Sequence, residues 1–70
     1  MKTDNWIMVY SSPFLYQVEM MKIKLEEENI NSVIINNKDS SYLFGEIELY
    51  VNSIDFIRAK AIVSKINKND

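Results

Sequence analysis

The side chains able to do chemistry are few, and the two most versatile types are missing. The 70-residue chain has no cysteine and no histidine. That removes thiolate nucleophiles, disulfides, the usual structural zinc clusters and the commonest general base near neutral pH. Ser11, Ser12, Ser40 and Ser41 therefore have no imidazole to activate them, and no motif supports a serine–lysine arrangement. Glu46 and Glu48 alternate along one stretch, a spacing open to paired-carboxylate chemistry. On an exposed strand, though, alternating glutamates more commonly serve solvation and edge protection. Glu26, Glu27 and Glu28 are consecutive, so on a helix they point in different directions, which fits a solvated helix end better than a metal site. Lys22, Lys24 and Lys60 are scattered at helical spacing, as exposed helix residues are. The sequence assigns no catalytic residue, no metal ligand and no cofactor, and an enzyme is not expected.

Composition narrows the partners. A net charge of −2 disfavours non-specific binding to nucleic acid or to an anionic membrane, both of which need a basic surface. A hydrophobic content of 47% excludes a disordered chain, and 26% charged residues is ordinary for a soluble one. No apolar run approaches the roughly 18–20 residues of a membrane span. The opening Met-Lys-Thr-Asp-Asn-Trp lacks the apolar stretch of a secretory signal, so a cytoplasmic location is the expectation. The length suits one domain over residues 1–70 with its core at about 6–66. Such a core supplies only ~3–5 kcal/mol. With no disulfide or zinc available, packing and self-association are the remaining sources of stability.

These sparse groups must be carried by a scaffold, and its elements can be read in order. Trp6 to Tyr10 is a short apolar run rich in aromatic and β-branched residues, a strand. Ser12-Pro13 then predicts a helix start, with serine capping and proline at the first helical position. Phe14, Val18, Met21 and Leu25 recur as one apolar stripe, broadened by Leu15. The helix should close near Asn29, because asparagine tolerates the left-handed conformation and Ile30 can pack back on the last turn. Val33-Ile34-Ile35 makes a second strand. The cleanest alternation follows Gly45, with Ile47, Leu49 and Val51 on one side and Glu46, Glu48 and Tyr50 on the other. Asn52 or Ser53 then caps a second helix, Asp55 favours its positive end, and Phe56, Ala59, Ile62, Val63 and Ile66 form its buried stripe.

The order strand–helix–strand–strand–helix has one compact solution. A right-handed crossover joins the first two strands, and the third pairs with the second as a hairpin. The third strand then lies between the other two, antiparallel to both, with both helices on one face. This is a βαββα, ferredoxin-like α+β sandwich without the usual last strand, so the first strand is left at a sheet edge. An exposed edge of that kind invites pairing with another chain, a second route to self-association.

The residues that carry this pattern also carry a resemblance. They are Trp6-Ile7-Met8-Val9-Tyr10, then Gln17-Val18-Glu19-Met20-Met21-Lys22, then Leu25-Glu26 and Asn29-Ile30. They continue with Gly45-Glu46-Ile47-Glu48-Leu49-Tyr50-Val51, Asp55-Phe56 and Ala59-Lys60. From about Trp6 to Val63 the chain resembles the small bacterial family called putative prokaryotic signal-transducing protein, a family of unknown function. The family's usual alanine and glycine on the first helix are here Val18 and Asn29, swaps that concern packing and capping. The resemblance implies a ferredoxin-like fold distantly similar in shape to the PII nitrogen-signalling proteins. It does not imply their activity, because no long effector loop and no Gly-rich or basic segment for ATP phosphates is present. Some relatives carry a cysteine-rich metal-binding segment beside this domain, and no such segment occurs in this sequence. A match of core residues speaks to fold and is nearly silent about mechanism.

The face of the sheet away from the helices remains to be covered. If Ile7 and Val9 pack under the helices, then Trp6, Met8 and Tyr10 point away, and Tyr50 joins them from the third strand. From the second strand, either Ile34 or the Val33/Ile35 pair contributes, and periodicity leaves this open because both faces are apolar. Tryptophan, tyrosine and methionine are enriched at contact surfaces. The candidate interface is therefore Trp6, Met8, Tyr10, Ile34 and Tyr50, with a homodimer as the plainest occupant. An unidentified protein partner is a second occupant, and a flat small-molecule ligand a third. RNA is disfavoured, because Glu46 and Glu48 stand where RNA-recognition modules carry basic residues. The connection from Asn36 to Phe44 holds Tyr42, Leu43 and Phe44, which either close the end of the core or form a contact ridge.

Overall fold

The computed structural model describes residues 5–36 and 46–67. They form β1 (Trp6–Ser12), α1 (Leu15–Glu27), β2 (Ser32–Asn36) and β3 (Ile47–Asn52). One turn of 3₁₀ helix (Ser53–Asp55) then leads into α2 (Phe56–Asn67). The sheet order is β1-β3-β2, with β3 antiparallel to both neighbours. Helix and sheet residues share one core, in which Val18, Met21, Leu25, Ile30, Ala59 and Val63 meet Val9, Ile47, Leu49 and Val51. Both helices thus cover the same face, and the architecture is the expected ferredoxin-like α+β sandwich with β1 at an edge. The body is a slab of 36 × 35 × 15 Å.

The helix ends show how local chemistry fixes the fold. At the C-terminus of α1, Asn29 adopts φ 64°, the left-handed conformation that asparagine tolerates better than most residues. The Ile30 amide then donates to the Leu25 carbonyl at 3.0 Å and the Asn29 amide to Glu26 at 2.9 Å. That pair is a Schellman closure, and Ile30 is buried with Leu25 as the motif's hydrophobic contact requires. The N-terminus of α1 departs from expectation. Ser12 stays in β1, paired with Ile47, so the helix begins only at Leu15, with extended Phe14 as its cap and no side-chain cap bond. The Ser12 hydroxyl accepts from the Phe14 amide at 3.1 Å and donates to Gln17, tying strand end to helix start. Phe14 accordingly leaves the buried stripe and lies exposed against Tyr16, ring centroids 5.9 Å apart. Ahead of the second helix, Asn52 caps the 3₁₀ turn rather than α2 itself, accepting from the Ile54 amide at 3.2 Å, and Arg58 pairs with Asp55.

One feature of β1 has no counterpart in the sequence pattern. Trp6 pairs with Asn52, Ile7 with Val51 and Met8 with Tyr50, but the next partner of Leu49 is Tyr10. Val9 is inserted as a β-bulge. A bulge shifts the alternation of a strand by one residue, so Val9 and Tyr10 both turn towards the helices.

Candidate functional site

The open face of the sheet is built by three strands, and its membership follows from register. In an antiparallel pair, residues directly opposite each other share a face. Leu49 and Val51 are in the core, so their partners Tyr10, Ile7, Ile34 and Ser32 lie on the helix side. Tyr50 looks the other way, together with its partners Met8 and Val33. Glu48 joins them with Ser11 and Ile35, and Trp6 completes the face opposite Asn52.

Of the five residues expected on this surface, three are brought together there: Trp6, Met8 and Tyr50. Two are corrected. The bulge at Val9 rotates Tyr10 to the helix side, where it packs against the core. Ile34 pairs with Leu49 and also packs against the core, because β2 meets β3 in the register that sends Val33 and Ile35 outward. That outward pair was one of the two parities the sequence left open. Tyr42, Leu43 and Phe44 lie outside the described residues.

The resulting surface is apolar and half-exposed. Trp6 is 42% and Met8 45% accessible, with Val33 and Ile35 close to them. Trp6, Val33, Ile35 and Tyr50 line a shallow depression of about 350 Å³. Its polar margin is one pair on β3: the Tyr50 phenol donates to Glu48 Oε1 at 2.9 Å. The hydrogen bond to Glu48, some loss of hydration and the negative charge of Glu48 together push the Tyr50 pKa above its ordinary 10.0. Held this way, the face can offer flat apolar contact with one anchored hydroxyl.

Other surfaces were not signalled by the apolar stripe of α1. Tyr16, Met20 and Ile23 recur at helical spacing on its outer side and are exposed, so α1 carries a second apolar stripe away from the core. A second depression of about 240 Å³ lies between the helices over Tyr10, beside Met20, Lys24 and Ile66. Ile54 and Ile57 stand out most, at 86% and 82% exposure. Among the described residues no group of three or more acidic, histidine or cysteine side chains is placed to hold a metal ion, and no helix is long and apolar enough to cross a membrane.

A three-stranded sheet with both helices on one face and the other face open defines a ferredoxin-like α+β sandwich. The chain matches no curated protein and no solved structure at a significant level. A family profile does match, over residues 6–67, nearly the whole sequence. The chain belongs to the family described as "Putative prokaryotic signal transducing protein", and the resemblance carried by its core residues is thereby established.

Proposed function

We propose that this chain is a non-catalytic regulatory module that acts by binding through its open sheet face, with a second copy of itself as the occupant. The observation that carries the reading is the face itself. Trp6, Met8, Val33, Ile35 and Tyr50 lie together on it, opposite the core. Its carboxylate on β3, Glu48, is engaged by the Tyr50 hydroxyl. Charge-poor centres with Trp, Tyr and Met are the mark of protein contact surfaces. A second copy is favoured because a core of this size is marginal by itself and closed two-fold dimers are the commonest assembly.

Sedimentation equilibrium over a wide concentration range tests this, comparing the wild type with Tyr50→Glu. Wild-type association that the folded variant loses or reduces supports the reading. A wild type that stays monomeric at every concentration rejects self-association.

A second reading has its own observation. The depression beside Trp6 falls at the small end of ligand sites, which run to roughly 300–1,000 Å³, and a flat metabolite stacked on Trp6 and Tyr50 would make the module a sensor. Trp6 is the single tryptophan, so its fluorescence reports occupancy directly. Silence across a broad panel of metabolites and nucleotides removes the sensor reading.

A further inference from the structure

We infer that the free edge of β2 is a pairing seam. There β2 of a second copy adds antiparallel, centred on Ile34, and joins two three-stranded sheets into one of six. The two edges of the sheet are not equivalent. β1 is interrupted by the Val9 bulge, a device that blunts an edge against pairing. β2 runs in unbroken register with β3 from Ser32 to Asn36, and it contains no charged residue and no proline. Among the described residues it therefore lacks the bulge, charge and proline that commonly protect an exposed edge. Among the described residues no strand lies on its outer side.

The sequence of β2 is also complementary to itself. Ser32-Val33-Ile34-Ile35-Asn36 reads polar, three apolar, polar in both directions. Centring the two-fold on Ile34 sets Val33 opposite Ile35 of the second copy and Ser32 opposite Asn36 of the second copy. Opposed residues share a face, so Val33 and Ile35 of both copies fall on the open side while both helix layers stay on the other. Ser32 adds an independent observation. Its Oγ is buried and, among the buried side-chain polar atoms of the described residues, is the one left without a hydrogen-bond partner. This register sets the Asn36 carboxamide of the second copy on the same face as that hydroxyl. An orphaned buried hydroxyl is costly, so a partner for it across the seam favours pairing.

Pairing changes what the open face can do. At ~4.8 Å between strands, three strands span only about 10 Å, against the ~800 Å² per partner of a standard interface. Six strands give one apolar surface of about twice the width. The seam goes beyond the open-face reading and does not depend on it. If both hold, the protein is a dimer of seam-joined dimers.

The test uses the whole chain carrying Tyr50→Glu, which charges the open face and leaves the β2 edge unaltered. Chains with Val33→Cys are mixed with chains with Ile35→Cys and oxidised. The sequence has no cysteine of its own, so every disulfide reports these two positions. The seam predicts a 33–35 heterodisulfide several-fold in excess of either homodisulfide, a dimer in sedimentation equilibrium, and slow amide exchange on both sides of β2. A folded monomer at every concentration overturns the seam, as does a dimer without preference for the heterodisulfide. A wild-type dimer that Tyr50→Glu converts to a monomer overturns the seam and leaves the open-face reading standing. The same wild-type dimer, undisturbed by Tyr50→Glu and yielding the heterodisulfide, supports the seam and removes face-to-face association.

Discussion

Tyr50 and Glu48 stand two residues apart on one face of β3, and their hydrogen bond makes an alkaline signature. The phenol's pKa is raised in the folded chain, so whatever stability the bond contributes is fully present below 10.0, the unfolded value. It is lost as pH rises past that point and through the higher folded value. Ultraviolet difference titration of the wild type against Tyr50→Phe is expected to show the Tyr50 phenol ionising above its ordinary 10.0, and Glu48→Ala should lower that midpoint. The backbone offers a second residue-scale experiment. Asn29 at φ 64° occupies a position where glycine is unstrained and a β-branched residue is not. Asn29→Gly should leave stability unchanged or slightly higher, while Asn29→Val should lower it by about 1–2 kcal/mol. Urea denaturation measures both. The helix end at Asn29 was legible in the sequence, because an asparagine followed by an isoleucine that can pack back on an apolar stripe is the pattern of a left-handed closure.

At the scale of elements, legibility followed the strictness of alternation. β3 alternates apolar and polar residues without exception from Glu46 to Val51, and its faces are those the pattern predicts. β1 and β2 are continuously apolar at their centres, so the pattern carried no parity. Nothing in Met8-Val9-Tyr10 distinguishes a bulged residue from its neighbours, since all three are large and apolar. The error at Tyr10 follows from that insertion, and the error at Ile34 from unread register. The start of α1 departs from expectation for another reason: a serine hydroxyl beside a proline satisfies an amide equally well from the end of a strand. A contact no local pattern could reveal joins the helices. Arg58 donates to the Glu28 carbonyl at 2.9 Å, clasping the C-terminus of α1 from the first turn of α2. Because this bond is exposed, Arg58→Ala should cost only about 0.5–1 kcal/mol, read as a lower urea midpoint with an unchanged denaturant slope.

For the whole molecule, the fold was recoverable because topology rules left so few arrangements of five elements, whereas the occupant of the open face follows from no such rule. The core is small enough that a single truncation is decisive. Leu49 is fully buried at the centre of the middle strand, and Leu49→Ala should cost about 2–5 kcal/mol. That is comparable to the whole net stability of a domain of this size, so circular dichroism at 25 °C should find the variant largely unfolded as a monomer and recovered only where association adds to its stability.

The slab proportions of the body, 36 × 35 × 15 Å, also govern how the particle tumbles. A flattened body reorients differently about its short axis than about its long ones, so amide bond vectors lying in the plate and those normal to it should relax at different rates in nitrogen-15 spin relaxation. Stacking two plates face to face would make the particle more nearly isotropic and shrink that spread. Joining them rim to rim would widen it. The anisotropy of rotational diffusion thus reads out the mode of assembly in solution without a single substitution.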